Sequence, residues 1–137
     1  MANLLLDTGP VVAVLRSESP YHATCRAALE AGEVEFVSTE AVLTEAAYLV
    51  SRLPGGVPSC LDFFLRLPVR LVPMTHDLLV RCRDLTERYA GVPMDFADAT
   101  LVAVAEETEI SDICTLDRRG FSAYRFGRNR AFRIVPA

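Results

Sequence analysis

Four acidic residues in this chain of 137 stand at positions where carboxylates do chemistry as readily as they shape a backbone. Asp7 follows the apolar run Leu4-Leu5-Leu6, and Asp117 follows Ile113-Cys114-Thr115-Leu116, so both fall at the carboxyl ends of expected strands. Glu45 lies inside the stripe Val42, Ala46, Leu49, Val50 and Leu53 of an expected helix, with Val42 at i−3 and Leu49 at i+4. That direction is toward the core, where an unpaired carboxylate is costly and demands a cation. Asp98 begins the apolar stripe Leu101, Val102 and Ala105 of a second helix.

Each acid also has an ordinary explanation. Asp7 suits a cap for a helix opening at Pro10, and Asp117 suits a turn aspartate paired with Arg118 or Arg119. A buried arginine would satisfy Glu45. Asp95 and Asp98, three apart in "MDFADATLVAVAEE", fit an N-cap and the third position of a helix, both favourable beside the positive end of the helix dipole. If the four acids converge, repulsion decides what accompanies them. Two carboxylates ~4 Å apart repel by roughly 4 kcal/mol at an effective dielectric near 20, so four need protons or a divalent ion. Oxygen ligands without histidine or thiolate favour Mg²⁺ or Mn²⁺, which polarise a phosphodiester and activate a water for in-line attack.

The composition narrows the alternatives. No lysine occurs, which removes the P-loop nucleotide-binding motif and the phospho-aspartate chemistries that set a lysine against the phosphoryl group. Cys25, Cys60, Cys82 and Cys114 are widely spaced and read as reduced core residues, with only His22 and His76 available to complete a zinc site. Apolar content of 51% fits a globular chain without a run long enough to span a membrane, and a cytoplasmic, soluble protein is expected. The net charge of −4 conceals a division, because residues 1–117 carry all 18 acids and eight arginines whereas residues 118–137 carry six arginines and no acid. An acidic body disfavours nonspecific nucleic-acid binding, yet a basic segment directly after an acidic site can hold phosphates beside it.

The elements that must position these residues alternate. Strands are expected at Asn3–Leu6, 34–38, "VRLVPM", 112–116 and 132–135. Helices are expected from Pro10 to Leu15, through "YHATCRAALEA", over Thr39–Leu53, from Ser59, from Thr75 to Gly91, and from Asp95 to Thr108, with "PGGVP" a loop. Short apolar strands alternating with helices imply one domain over residues 1–137, a three-layer α/β/α sandwich around a mostly parallel sheet of 4–5 strands. In such folds ligands bind beyond the carboxyl ends of the strands, near the topological switch point.

With these acids in this order, the chain resembles the PIN-domain family of metal-dependent nucleases, in particular the VapC-type ribonuclease toxins of toxin–antitoxin pairs. The resemblance is carried by "LLLDTGPVVAVL", "LTEAAYLV", "DFADATLVAVAEE" and "CTLDRRGFSAYR", and spans nearly the whole chain. It implies Asp7, Glu45 and Asp98 as the core catalytic and metal-binding acids and Asp117 as the fourth. Thr115 and Thr8 match the family's supporting polar residues, and Asp95 is a cap that also supports the site. Gly120 departs from a common pattern in which an acid precedes the aromatic, here Phe121. The resemblance further implies Mg²⁺- or Mn²⁺-dependent cleavage of RNA by an activated water, a homodimer, and a small antitoxin as partner. Arg118 and Arg119 become candidates for holding the phosphate, with Arg125, Arg128 and Arg130 tracking the RNA backbone. The alternative is a PIN-like binding partner of a DNA-binding antitoxin with little nuclease activity, acting in operon regulation.

Overall fold

A computed structural model describes residues 2–137. Leucine-rich β1 (Ala2–Leu6) is the middle strand of five, in the order β3-β2-β1-β4-β7, and every pairing in this sheet is parallel. Its neighbours are β2 (Val34–Ser38) and β4 (Asp112–Cys114), and the edges are β3 (Val69–Leu71) and β7 (Arg133–Val135). The order moves outward from β1 through β2 to β3, then returns across the sheet to β4. With right-handed crossovers, that reversal sends the helices of the two halves to opposite faces. The helices sort accordingly. On one side α1 (Thr8–Leu15), α2 (His22–Leu29), α3 (Glu40–Leu49) and α4 (Gly56–Arg66) pack together, while α5 (His76–Arg88) packs on α6 (Phe96–Thr108). The expected α/β fold and parallel sheet are therefore present.

Local chemistry explains most element ends. The hydroxyls of Thr39 and Thr75 accept from Val42 N and Leu78 N, capping α3 and α5. Helix α6 is buried from Ala97 through Ala105, so its even apolar coat belongs to a core helix, and Arg81 on α5 ties it laterally to Glu106 at 2.8 Å.

Several boundaries differ from the sequence expectation. Helix α3 ends at Leu49 rather than Leu53, because the next residues turn tightly, with Ser51 N donating to Tyr48 O and Leu53 N to Val50 O. The "PGGVP" segment is mostly helical: α4 starts at Gly56, and Pro58 sits in the first turn, where its missing N–H has no intrahelical partner to lose. The strand expected through Leu116 ends at Cys114. The basic segment contains a short helix, α7 (Arg118–Ala123), and a small antiparallel hairpin of β5 (Arg125–Phe126) and β6 (Arg130–Ala131), neither anticipated from the sequence. Phe121, Tyr124, Phe126 and Phe132 anchor this segment in the core, linked through edge-on and tilted ring contacts. All four cysteines are buried and unpaired, as expected.

Candidate active site

Asp7 follows the last residue of β1, whose partner across the switch point is β4. The register sets Leu6 beside Cys114, and Asp7 N donates to Cys114 O at 3.0 Å, so the chain beyond each strand opens into the same crevice. Asp7 serves as the backbone N-cap of α1, yet its side chain makes no capping hydrogen bond. The carboxylate instead accepts from Thr115 Oγ1 at 2.7 Å, and the same Thr115 oxygen accepts from Asp117 N at 2.9 Å. One buried hydroxyl thus connects the acids at the ends of β1 and β4. The capping explanation for Asp7 fails on this geometry.

Asp95 and Asp98 cap α6 reciprocally. Asp98 N donates to Asp95 Oδ1 at 2.8 Å, and Asp95 N donates to Asp98 Oδ2 at 3.3 Å. Asp98 is buried beneath Asp95, and Tyr124 Oη lies 3.4 Å from Asp98 Oδ2 while donating to Pro93 O at 3.2 Å. Asp117 caps α7 by accepting from Gly120 N at 3.0 Å, so it is a helix cap rather than a turn residue paired to arginine. A Cβ at Gly120 would meet the Asp117 carboxylate and stand 3.0 Å from Tyr124 Oη, so a larger residue requires the Asp117 side chain to shift.

Glu45 needs a correction. It is half-buried, and Leu49, its companion on the expected core stripe, is 44% exposed; the buried face of α3 is Val42, Ala46 and Val50. Rather than entering the core, Glu45 borders a cavity, so no buried arginine is required. Asp7, Glu45, Asp95, Asp98 and Asp117 all line this one cavity of about 490 Å³ at the switch point. A larger cavity of about 670 Å³ lies between α2 and α4, but four of its five charged residues pair locally, Arg26 with Glu30 at 2.9 Å and Arg66 with Asp62 at 4.0 Å.

The acid cavity is not compensated in this way. Burial pushes Asp7 up to about 6, against the opposing Thr115 hydrogen bond, with Glu45 and Asp95 adding repulsion. Asp98 is raised further, by burial first and then by the charges of Asp7 and Asp95. Thr8 adds a buried hydroxyl with no hydrogen-bond partner in the cavity wall. As they stand, no three Asp, Glu, His or Cys side chains among the described residues are close enough to hold one ion. The carboxylates ring the cavity instead of forming a finished cage.

The arginines divide differently from expectation. None of Arg118, Arg119, Arg125, Arg128 and Arg130 lines the cavity. Arg118 donates to the Pro136 carbonyl and Arg125 to the carbonyls of Ser122 and Tyr124. Arg130 lies over the Phe126 ring and 4.0 Å from Glu109, which caps the far end of α6, roughly 16 Å along the helix from Asp98. The cavity's own cation is Arg16, and sequence reasoning missed it along with Ser19 and Tyr124. A signal existed for Arg16: Gly9, Ala13 and Arg16 recur at i, i+4 and i+7, one face of a helix starting beside Asp7.

The sequence from residue 4 to 127 matches the family model for the PIN domain. The chain belongs to the PIN-domain family. A curated relative of this PIN domain, the ribonuclease VapC26 of Mycobacterium tuberculosis, is 25% identical over 140 residues, spanning 97% of this chain and 100% of the relative. Among solved structures it is similar to M. tuberculosis VapC20, described as a toxin that cleaves the sarcin-ricin loop, with a TM-score of 0.73 at 22% identity over 80% of this chain and 86% of the other. A toxin–antitoxin complex from Klebsiella pneumoniae matches with a TM-score of 0.62 at 17% identity, covering 88% and 91% of the two chains. FitAcB from Neisseria gonorrhoeae matches at 0.59 and 19% identity, covering 86% and 90%. These structural likenesses concern the fold.

Proposed function

We propose that this PIN domain is a Mg²⁺- or Mn²⁺-dependent endoribonuclease and the toxin of a toxin–antitoxin pair. The observation that carries the reading is the single cavity lined by Asp7, Glu45, Asp95, Asp98 and Asp117 at the sheet's switch point, with one arginine against five acids. The donor set fits a hard divalent cation: only oxygens, two of them on carboxyls that burial and mutual repulsion disfavour as free anions, and an unpartnered Thr8 hydroxyl in the wall. Asp7, Glu45, Asp98 and Asp117 would hold the ion. A divalent ion held by these residues would supply an activated water and a counter-charge for the phosphodiester.

The chain's residues set the rest. Thr115 fixes the Asp7 carboxylate through Oδ2 and so aims its other oxygen. Asp95 accepts from Asp98 N and so helps keep the start of α6 folded around Asp98, which caps in return through Oδ2. Water is the nucleophile, so no serine, cysteine or histidine is required. The exposed arginines of residues 118–130 provide a basic strip for the RNA backbone beyond the cavity.

The relatives' names support an antitoxin partner and a ribonuclease activity, and four buried free thiols suit a cytoplasmic protein. The intact acid set weighs against the binding-only alternative. Purified protein should cleave single-stranded RNA with Mg²⁺ or Mn²⁺ and stop on addition of EDTA, and its expression should arrest growth unless the antitoxin is supplied. Cleavage that persists in EDTA would refute the metal dependence.

A further inference from the structure

The acid cavity is elongated. Along α1 its wall is formed by Gly9, Val12 and Ala13 and continues to Arg16; along α3 it is Glu45 and then Leu49. Gly9 to Arg16 covers roughly 10 Å of helix, so the cavity is a groove with carboxylates at one end and a guanidinium at the other. Arg16 pairs with none of the groove's acids. Its Nη2 donates to Leu49 O, the last carbonyl of α3, at 2.8 Å, and among the described residues its only ion pair is a 4.0 Å contact with Glu18, whose side chain is 70% exposed. The helix terminus therefore holds the fork in place without spending its charge, and most of its five N–H donors are left for another acceptor. Ser19 lines the groove beside it.

We infer that Arg16 binds a non-scissile phosphate of the RNA, one or two nucleotides from the bond that is cut, and so holds the strand along the α1–α3 groove. This rests on the endoribonuclease reading above. The charge pattern favours it: the acid end repels phosphate until metal is bound, whereas the Arg16 end attracts it at all times, so the strand is drawn first to the Arg16 end of the groove. The distance from Asp7 separates this role from contact with the reacting phosphate.

The test is steady-state cleavage of a single-stranded RNA oligonucleotide, at several salt concentrations, by wild type, Arg16→Ala and Arg16→Lys. Arg16→Ala should raise KM about tenfold with little change in kcat and reduce the salt slope by about 0.7. Arg16→Lys should restore the slope but only part of the KM, since it keeps charge and loses the fork. Once the cut site is mapped, replacing the neighbouring phosphate with an uncharged methylphosphonate should weaken wild type and leave Arg16→Ala unaffected. If Arg16 only secures the end of α3, Arg16→Ala lowers Tm while KM and slope stay unchanged, which overturns the inference. Equal methylphosphonate effects in both proteins also overturn it. No cleavage by wild type sinks the nuclease reading instead, so the two failures are distinguishable.

Discussion

Thr115 Oγ1 donates to Asp7 Oδ2 at 2.7 Å, a bond between residues 108 apart in sequence that closes the gap between β1 and β4. Because the same oxygen accepts from Asp117 N, the hydroxyl sets two of the four proposed metal ligands at once. Thr115→Val keeps the shape and removes the donor. It should destabilise the protein by about 1–3 kcal/mol at neutral pH, where a buried carboxylate loses a partner. Its acid limb of activity should shift to higher pH, since the bond that lowers the Asp7 pKa is gone, while Thr115→Ser should behave like wild type. A pH–rate profile with parallel melting curves checks this, and an unmoved acid limb would count against it.

The stability of the metal-free protein should fall as pH rises. The Asp7 carboxyl, at about 6 in the folded state, lies above the ~3.9 of an unfolded aspartate, so folding favours its protonated form. Its contribution is complete below the unfolded value and is lost as pH climbs through about 6, and Asp98, raised further, extends the loss upward. In EDTA, Tm should therefore decline from pH 5 to pH 8. Asp7→Asn should flatten that decline and add up to about 3 kcal/mol at pH 8. Divalent metal should restore stability, and by more at pH 8 than at pH 6. A wild-type Tm that rises relative to Asp7→Asn over this range would contradict the assignment.

Gly120→Ala separates activity from stability. In an exposed helix, alanine would stabilise by up to about 1 kcal/mol over glycine. Here the added methyl meets the Asp117 carboxylate and crowds Tyr124 Oη, so the carboxylate that caps α7 must move. Cleavage should drop at least tenfold, with no gain in Tm. Full activity in Gly120→Ala would show that the position of Asp117 does not matter.

The two aspartates at the start of α6 have separable roles. Asp95→Ala removes the acceptor of Asp98 N and should cost about 1 kcal/mol, whereas Asp95→Asn retains a cap and should melt near wild type. Asp98→Asn should leave Tm equal or higher, because it removes a strained buried charge, and should abolish cleavage. Melting and kinetics on the three variants test this directly.

How far the sequence could be read follows from where each signal is local. Strand β2 and helix α5 were legible to the residue or nearly so, because Thr39 and Thr75 caps and apolar runs are local features. Asp98 was legible because capping explains a carboxylate's place but not its direction. Glu45 was placed on the right helix but aimed wrongly: Leu49 looked like core and is exposed, since α3 turns its Val42–Ala46 face inward and its Glu45–Leu49 face to the groove. Helix α7 and the β5–β6 hairpin were not legible because six arginines dominate the segment's pattern, whereas four aromatic residues spaced among them anchor it. Arg16 was missed because its importance depends on where α3 ends, a tertiary fact.

The central claim is that carboxylates from both halves of the sheet act as one metal-loaded hydrolytic centre. Its most direct measurement is Mn²⁺-supported cleavage of single-stranded RNA by wild type, Asp7→Asn and Asp98→Asn, purified in parallel and matched for folding by melting. Cleavage is expected from wild type alone, abolished by EDTA, with both variants folded and inactive. Undiminished cleavage by either folded variant would contradict it.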